Sequence, residues 1–235
     1  MNRLLLIILF FATAFVSCKD DSPSPDTSQQ PTGSEHKYTY LALGDSYTIG
    51  ESVPAADQWG GQLAGLLRAD GVDVANPVTI ARTGWTTSEL ASAVATAKLQ
   101  PDFDIVSLLI GVNNQYRGQS ISTYREEFKA LLQTSVRLAK GRPGNVLVLS
   151  IPDWGATPFA ANQNRARISE EIDAFNAVAK EEAQLAGVTF INITPLTREV
   201  SIKQEYLAND GLHYSGKMYK EWAQLALPEA KEILK

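Results

Sequence analysis

Residues 105–114 read IVSLLIGVNN, and residues 146–155 read VLVLSIPDWG. Each opens with a six-residue run almost free of polar side chains and then breaks at glycine or proline. A strand covered on one face alternates apolar and polar residues, whereas a strand covered on both faces reads as a continuous apolar run. The two stretches therefore predict strands over 105–110 and 146–151, at the centre of a sheet with cover on either side.

Working outward, further short apolar runs predict strands over 39–43, 74–81 and 188–191. Helical spacing fills the gaps between them. Ile121, Tyr124, Phe128, Leu131 and Leu138 fall on one helical face, and Ile168, Ile172, Phe175 and Ala179 on another. A last helix is expected to start near Ser215 and to carry Met218, Trp222 and Leu225. Strand and helix alternating five times predict an α/β fold, with one five-stranded parallel sheet and helices on both faces. No internal repeat and no second domain are evident.

The chain has 235 residues, 44% of them hydrophobic, enough for one substantial domain. Its formal net charge of -5, without any run of lysine and arginine, argues against a nucleic-acid partner. Its single cysteine, Cys18, allows no disulfide within the chain.

In open parallel sheets, ligands bind outside the carboxyl ends of the strands. Four loops follow predicted strands and so share that edge: Gly44-Asp45-Ser46, Arg82-Thr83-Gly84-Trp85, Gly111-Val112-Asn113-Asn114 and Pro152-Asp153-Trp154-Gly155. Ser46 is the candidate nucleophile, and a serine hydroxyl needs a base. The chain holds two histidines. His36 lies in a polar stretch where nothing is expected to position it. His213, in NDGLHYS ahead of the last helix, is the candidate base, with Asp210 three residues earlier, close enough on a tight turn to reach the ring Nδ1–H. An Asp-Gly pair is also an ordinary turn former, so Asp210-Gly211 read alone is compatible with a simple turn. Gly84 offers a backbone N–H that nothing shields, and Asn113 offers an amide; both suit an oxyanion site, and both are also common in turns.

GDSY, the glycine of RTGW, GVNN and DGLH occur together in an order that resembles the SGNH, or GDSL-like, hydrolase family. The resemblance spans the domain from about Tyr40 to the last helix. It implies a flavodoxin-like three-layer α/β/α sandwich with esterase, lipase or thioesterase activity. It further implies Ser46, His213 and Asp210 as a catalytic triad, with the Ser46 and Gly84 N–H groups and the Asn113 amide as oxyanion donors. Neither a cofactor nor a metal is expected. Two positions depart from the pattern: Tyr47 stands where the literal motif has leucine, and Asn114 where many members carry aspartate. The rival α/β-hydrolase fold requires G-x-S-x-G, whereas Thr48 occupies the last position of that pattern here. Asp102 and Asp104 have no histidine evidently near them and read as a solvated loop rather than a metal site.

The substrate is less legible. Tyr47, Trp85, Asn114 and Trp154 are candidate substrate-binding residues, and Tyr116 and Phe159 lie on loops of the same edge. Aromatic side chains there suit the wall of an acyl or sugar pocket, and equally the packing that covers a sheet end. No long apolar lid segment is present, which favours carbohydrate or small-ester deacylation. Lysophospholipase or thioesterase activity, and a catalytically silent glycan-binding module, are the alternatives.

The amino-terminal stretch resembles a targeting segment. Asn2-Arg3 precedes the apolar run 4–11, and FVSC, residues 15–18, resembles a bacterial lipoprotein processing site with lipid attached to Cys18. Cleavage after ATA, residues 12–14, is the alternative. The reading divides the chain into a signal peptide over 1–17, a disordered tether over 18–37 rich in Pro, Ser, Asp and Gln, and a hydrolase domain over 38–235. It implies a cell-envelope protein held on a membrane by its lipid. CKDD resembles a signal for the outer surface of some Gram-negative bacteria.

Overall fold

The computed structural model describes residues 36–235. Its sheet contains β1 (Tyr40–Gly44), β2 (Val78–Ala81), β3 (Ile105–Leu109), β4 (Val146–Leu149) and β5 (Thr189–Ile191). All are parallel, in the order β2-β1-β3-β4-β5. The register pairs Leu43 with Ile80 on one side and with Leu108 on the other.

The helices are α1 (Ser46–Ile49), α2 (Trp59–Ala69), α3 (Thr87–Thr96), α4 (Val112–Tyr116), α5 (Ile121–Leu138), α6 (Arg165–Leu185), α7 (Thr194–Arg198) and α8 (Gly216–Ile233). Their placement follows from strand order. The crossover from β1 to β2 runs one way across the sheet, and every later crossover runs the other way. Right-handed crossovers therefore put α2 on one face and α3, α5 and α6 on the opposite face. α8 returns to pack along α2, while α5 lies against α3 and α6. The result is the three-layer α/β fold expected from the alternation.

β1, β3 and β4 are buried along their whole length, as their continuous apolar runs require. The buried Ser107 of β3 is satisfied by the Tyr40 hydroxyl at 3.0 Å. The 74–81 expectation is corrected to β2 alone. Val74 makes only an isolated bridge to Tyr38, and Pro77, which lacks an N–H, separates it from the strand. On α8, Leu225 is exposed and the buried face passes instead through Met218, Trp222 and Ala226.

Candidate active site

The order of strands reverses at β1, so the carboxyl ends of β1 and β3 open a crevice at the switch point. β1 runs into α1 with no room to spare. A Cβ at Gly44 would overlap the Thr48 hydroxyl and the Leu109 carbonyl, so only glycine passes this corner. Asp45 caps α1 by accepting the Tyr47 N–H at 3.1 Å. Ser46 then becomes the first residue of that single turn, 4% exposed at the crevice.

Gly84, in the loop after β2, holds a left-handed φ of +83°, a conformation glycine adopts without steric cost. Its carbonyl accepts a hydrogen bond from Arg117 at 2.5 Å. Asn113 stands in the first turn of α4. Its Nδ2 donates to the Trp85 carbonyl at 3.0 Å and lies 3.5 Å from Asp45 Oδ2.

His213 and Asp210 form the pair that their spacing suggests. The His213 Nδ1 to Asp210 Oδ2 distance is 2.7 Å. The backbone N–H groups of Leu212 and His213 both donate to Asp210 Oδ1 at 2.9 Å, which makes the turn itself a carboxylate-binding loop. Burial by itself would raise the Asp210 carboxyl. Hydrogen bonds from Ser52, His213 and those backbone N–H groups outweigh it and hold the group well below the usual carboxylate range.

Ser46, Gly84, Asn113 and His213 line one cavity of about 170 Å³. No hydrogen bond joins Ser46 to His213 among the described residues; such contacts are often long before substrate binds and tighten around it. The rest of the wall is apolar, supplied chiefly by Val112, Trp154, Leu212, Tyr116 and Phe159. The Trp154, Tyr116 and Phe159 rings form a cluster with centroids 5.3 to 6.4 Å apart. Trp154 is buried and fixed by its Nε1 bond to Gln115 at 2.7 Å, whereas Tyr116 and Phe159 are half exposed.

The other sequence candidates fall in different places. Tyr47 also borders the cavity but is only 2% exposed, with its ring behind His213 at a centroid distance of 5.1 Å. The Trp85 side chain lines a separate groove with Ala81 and Glu89; only its backbone carbonyl meets Asn113. Asn114 is fully buried away from the cavity and bonds to the Thr87 N–H and hydroxyl and to Gln119, tying the β3 loop to α3. Asp104 pairs with Lys140 at 2.5 Å. His36 and Lys37 bond to Asp73, at 2.6 and 3.0 Å, so His36 is positioned after all. Cys18 and the expected signal and tether segments up to residue 35 lie outside the described residues.

Asp45 escaped the sequence reading as part of the site. It is fully buried, touches Asn113, and burial pushes its carboxyl up to about 7 despite the Tyr47 N–H. Its position directly ahead of Ser46 was the available signal; its burial was not visible.

A hydroxyl, an amide and an imidazole around one cavity, with a carboxylate paired to the imidazole, are the parts of nucleophilic acyl transfer. Solved structures agree on the fold. The lipase/acylhydrolase of Enterococcus faecalis is 23% identical with a TM-score of 0.65, over 84% of this chain and 97% of that one. The acetylxylan esterase Axe2 of Geobacillus stearothermophilus is 20% identical with a TM-score of 0.64, over 83% and 94%. TesA is 19% identical with a TM-score of 0.64, over 83% and 99%. Comparison with curated protein sequences finds no match. Residues 42–221 match the GDSL-like Lipase/Acylhydrolase family, a span that takes in the end of β1, every residue lining the cavity and the start of α8. The chain belongs to this family of carboxylic ester hydrolases.

Proposed function

We propose that the protein removes short acyl groups, acetyl above all, from carbohydrate or other small esters, with Ser46, His213 and Asp210 as its triad. The observation that carries the reading is that His213, paired with Asp210 behind it, borders the same cavity as Ser46. His213 takes the Ser46 proton as the hydroxyl attacks the ester carbonyl. The Ser46 and Gly84 N–H groups and the Asn113 amide stabilise the oxygen as it gains charge. His213 then protonates the departing alcohol, and a water activated by the same imidazole releases the acyl group. Asp210 keeps the imidazole in the required tautomer and stabilises its charged form.

The apolar cavity of about 170 Å³ supports a short acyl chain. The half-exposed rings of Tyr116 and Phe159 at its edge support an alcohol with a flat apolar face, as a sugar ring has. An acetylxylan esterase is among the proteins of similar fold, and so is TesA. Anchoring through lipid on Cys18, with the tether over 18–37, completes the reading and suits a polymeric or envelope-borne ester; replacing Cys18 by serine is expected to abolish incorporation of a labelled fatty acid.

Ser46→Ala is expected to abolish turnover of p-nitrophenyl acetate and labelling by a fluorophosphonate, and turnover near wild type would end the assignment. Acetylated xylo-oligosaccharides, lysophospholipids and acyl thioesters assayed side by side resolve the substrate. Preference for either lipid class would replace the carbohydrate reading. Failure of the wild type to label or to turn over any ester would favour a silent binding module.

A further inference from the structure

The turn that follows the nucleophile reaches the acid of the triad. Glu51 N–H donates back to the Ser46 carbonyl at 2.9 Å, so residues 51 and 52 are held against α1. Ser52 then donates its hydroxyl to Asp210 Oδ2 at 2.5 Å, across 158 positions of sequence. The same oxygen meets His213 Nδ1, while Oδ1 takes the two backbone N–H groups. A carboxylate offers roughly four acceptor sites. Ser52 fills the one that the histidine loop leaves open.

The backbone at Ser52 points the same way. Its φ is +67°, in the left-handed region where non-glycine residues are uncommon and glycine sits without strain. A serine held there keeps a side chain that a turn does not need, and sparsely populated backbone conformations persist only where the surroundings over-determine them. The contact with Asp210 is the surrounding that does so. The neighbouring Glu51 carboxylate accepts the Thr83 hydroxyl, beside Gly84, so one dipeptide touches two of the loops that border the cavity.

We propose that Ser52 is a positioning residue that acts through Asp210. Its hydroxyl stops the carboxylate from rotating about its last torsion and keeps Oδ2 aimed at the imidazole. It also joins the loop of the nucleophile to the loop of the base, so the two move as a unit. The proposal rests on the reading of Ser46, His213 and Asp210 as the triad. No substrate contact is involved, so the effect belongs in kcat and not in KM.

The test uses Ser52→Gly, which deletes the hydroxyl at a backbone conformation glycine favours, and Ser52→Ala, which deletes it and leaves the strain. Each is expected to lower kcat for p-nitrophenyl acetate about tenfold, the scale of one hydrogen bond to a charged group, with KM unchanged. Ser52→Gly is expected to unfold at the wild-type temperature or above. In an Asp210→Ala background Ser52→Gly is expected to change kcat by less than about twofold, because the group it acts through is gone. Wild-type kcat in Ser52→Gly, or the same loss of kcat in both backgrounds, would overturn the proposal. An active Ser46→Ala would instead overturn the triad reading on which it rests, so the two failures are told apart.

Discussion

Asp45 and Asp210 each touch a residue of the cavity, yet their surroundings are opposite. Asp45, in the loop after β1, is fully buried and has one N–H at 3.1 Å and the Asn113 amide at the limit of hydrogen-bonding distance. Asp210, in the loop before α8, is partly exposed and saturated by four donors. Burial raises the first carboxyl to about 7, and hydrogen bonding holds the second well down. Burial and donor count together, not proximity to Ser46, set the two carboxyls apart. The site is thus built with a fixed negative charge on the histidine side and a carboxyl that titrates near neutral pH on the amide side.

Removing the fixed charge has the largest expected effect. Asp210→Asn keeps an oxygen for the Leu212 and His213 N–H groups, so the turn survives, but in the proposed triad the imidazole loses the partner that fixes its tautomer. Turnover is expected to fall by about 10⁴-fold, read as kcat on p-nitrophenyl acetate. A loss below tenfold would mean that Asp210 only shapes the loop.

The buried carboxyl makes itself felt in stability. Its folded-state pKa of about 7 lies above the ordinary 3.8, so the proton bound to it favours the fold. That contribution is complete below about pH 4 and is lost as pH rises toward 7, roughly 4 kcal/mol in all. Asp210 has the opposite sign: its contribution is present above the ordinary carboxylate range and is lost as pH falls through and below it. Asp45→Asn keeps the cap on the Tyr47 N–H and removes the titration. Between pH 4.5 and 8, urea denaturation is expected to show the wild type losing stability and the variant losing several kcal/mol less. Parallel curves would remove the contrast between the two carboxylates.

Asn113 connects the buried carboxyl to the cavity, and Asn113→Ala is expected to lower kcat about a hundredfold, near 3 kcal/mol of barrier, with little change in KM. A change in KM alone would assign the amide to substrate binding.

These contrasts mark the boundary of what sequence shows. β3 and β4 are legible because both of their faces are covered, so their composition alone separates them from a solvated strand. β2 is not, because it is an edge strand with half its residues exposed, and Val74 beyond Pro77 mimics a continuation. Leu225 obeys helical spacing loosely enough to pass for core, while Ala226, less apolar, holds the buried position. Within the site, the Asp210–His213 contact is local and readable from spacing. The Ser52–Asp210 and Asn113–Asp45 contacts join distant segments that only the folded sheet brings together. Asn114 and Trp85 sit beside cavity residues in sequence, but consecutive residues on a turn point different ways, and neither side chain borders the cavity.

The pinning of His36 and Lys37 on Asp73 has a practical side. His36 and Lys37 lie ahead of the first residue of β1, and the strand, about 17 Å long, separates them from Ser46. α8 starts two residues past Tyr214 and runs back toward that same end, where Lys231 pairs with Asp70 at 2.8 Å. Handles fused at either side of the domain therefore emerge away from the cavity mouth. Immobilised on a bead or a sensor chip through such a handle, the enzyme keeps its opening turned to the bulk liquid, where even a bulky polymer has room to arrive.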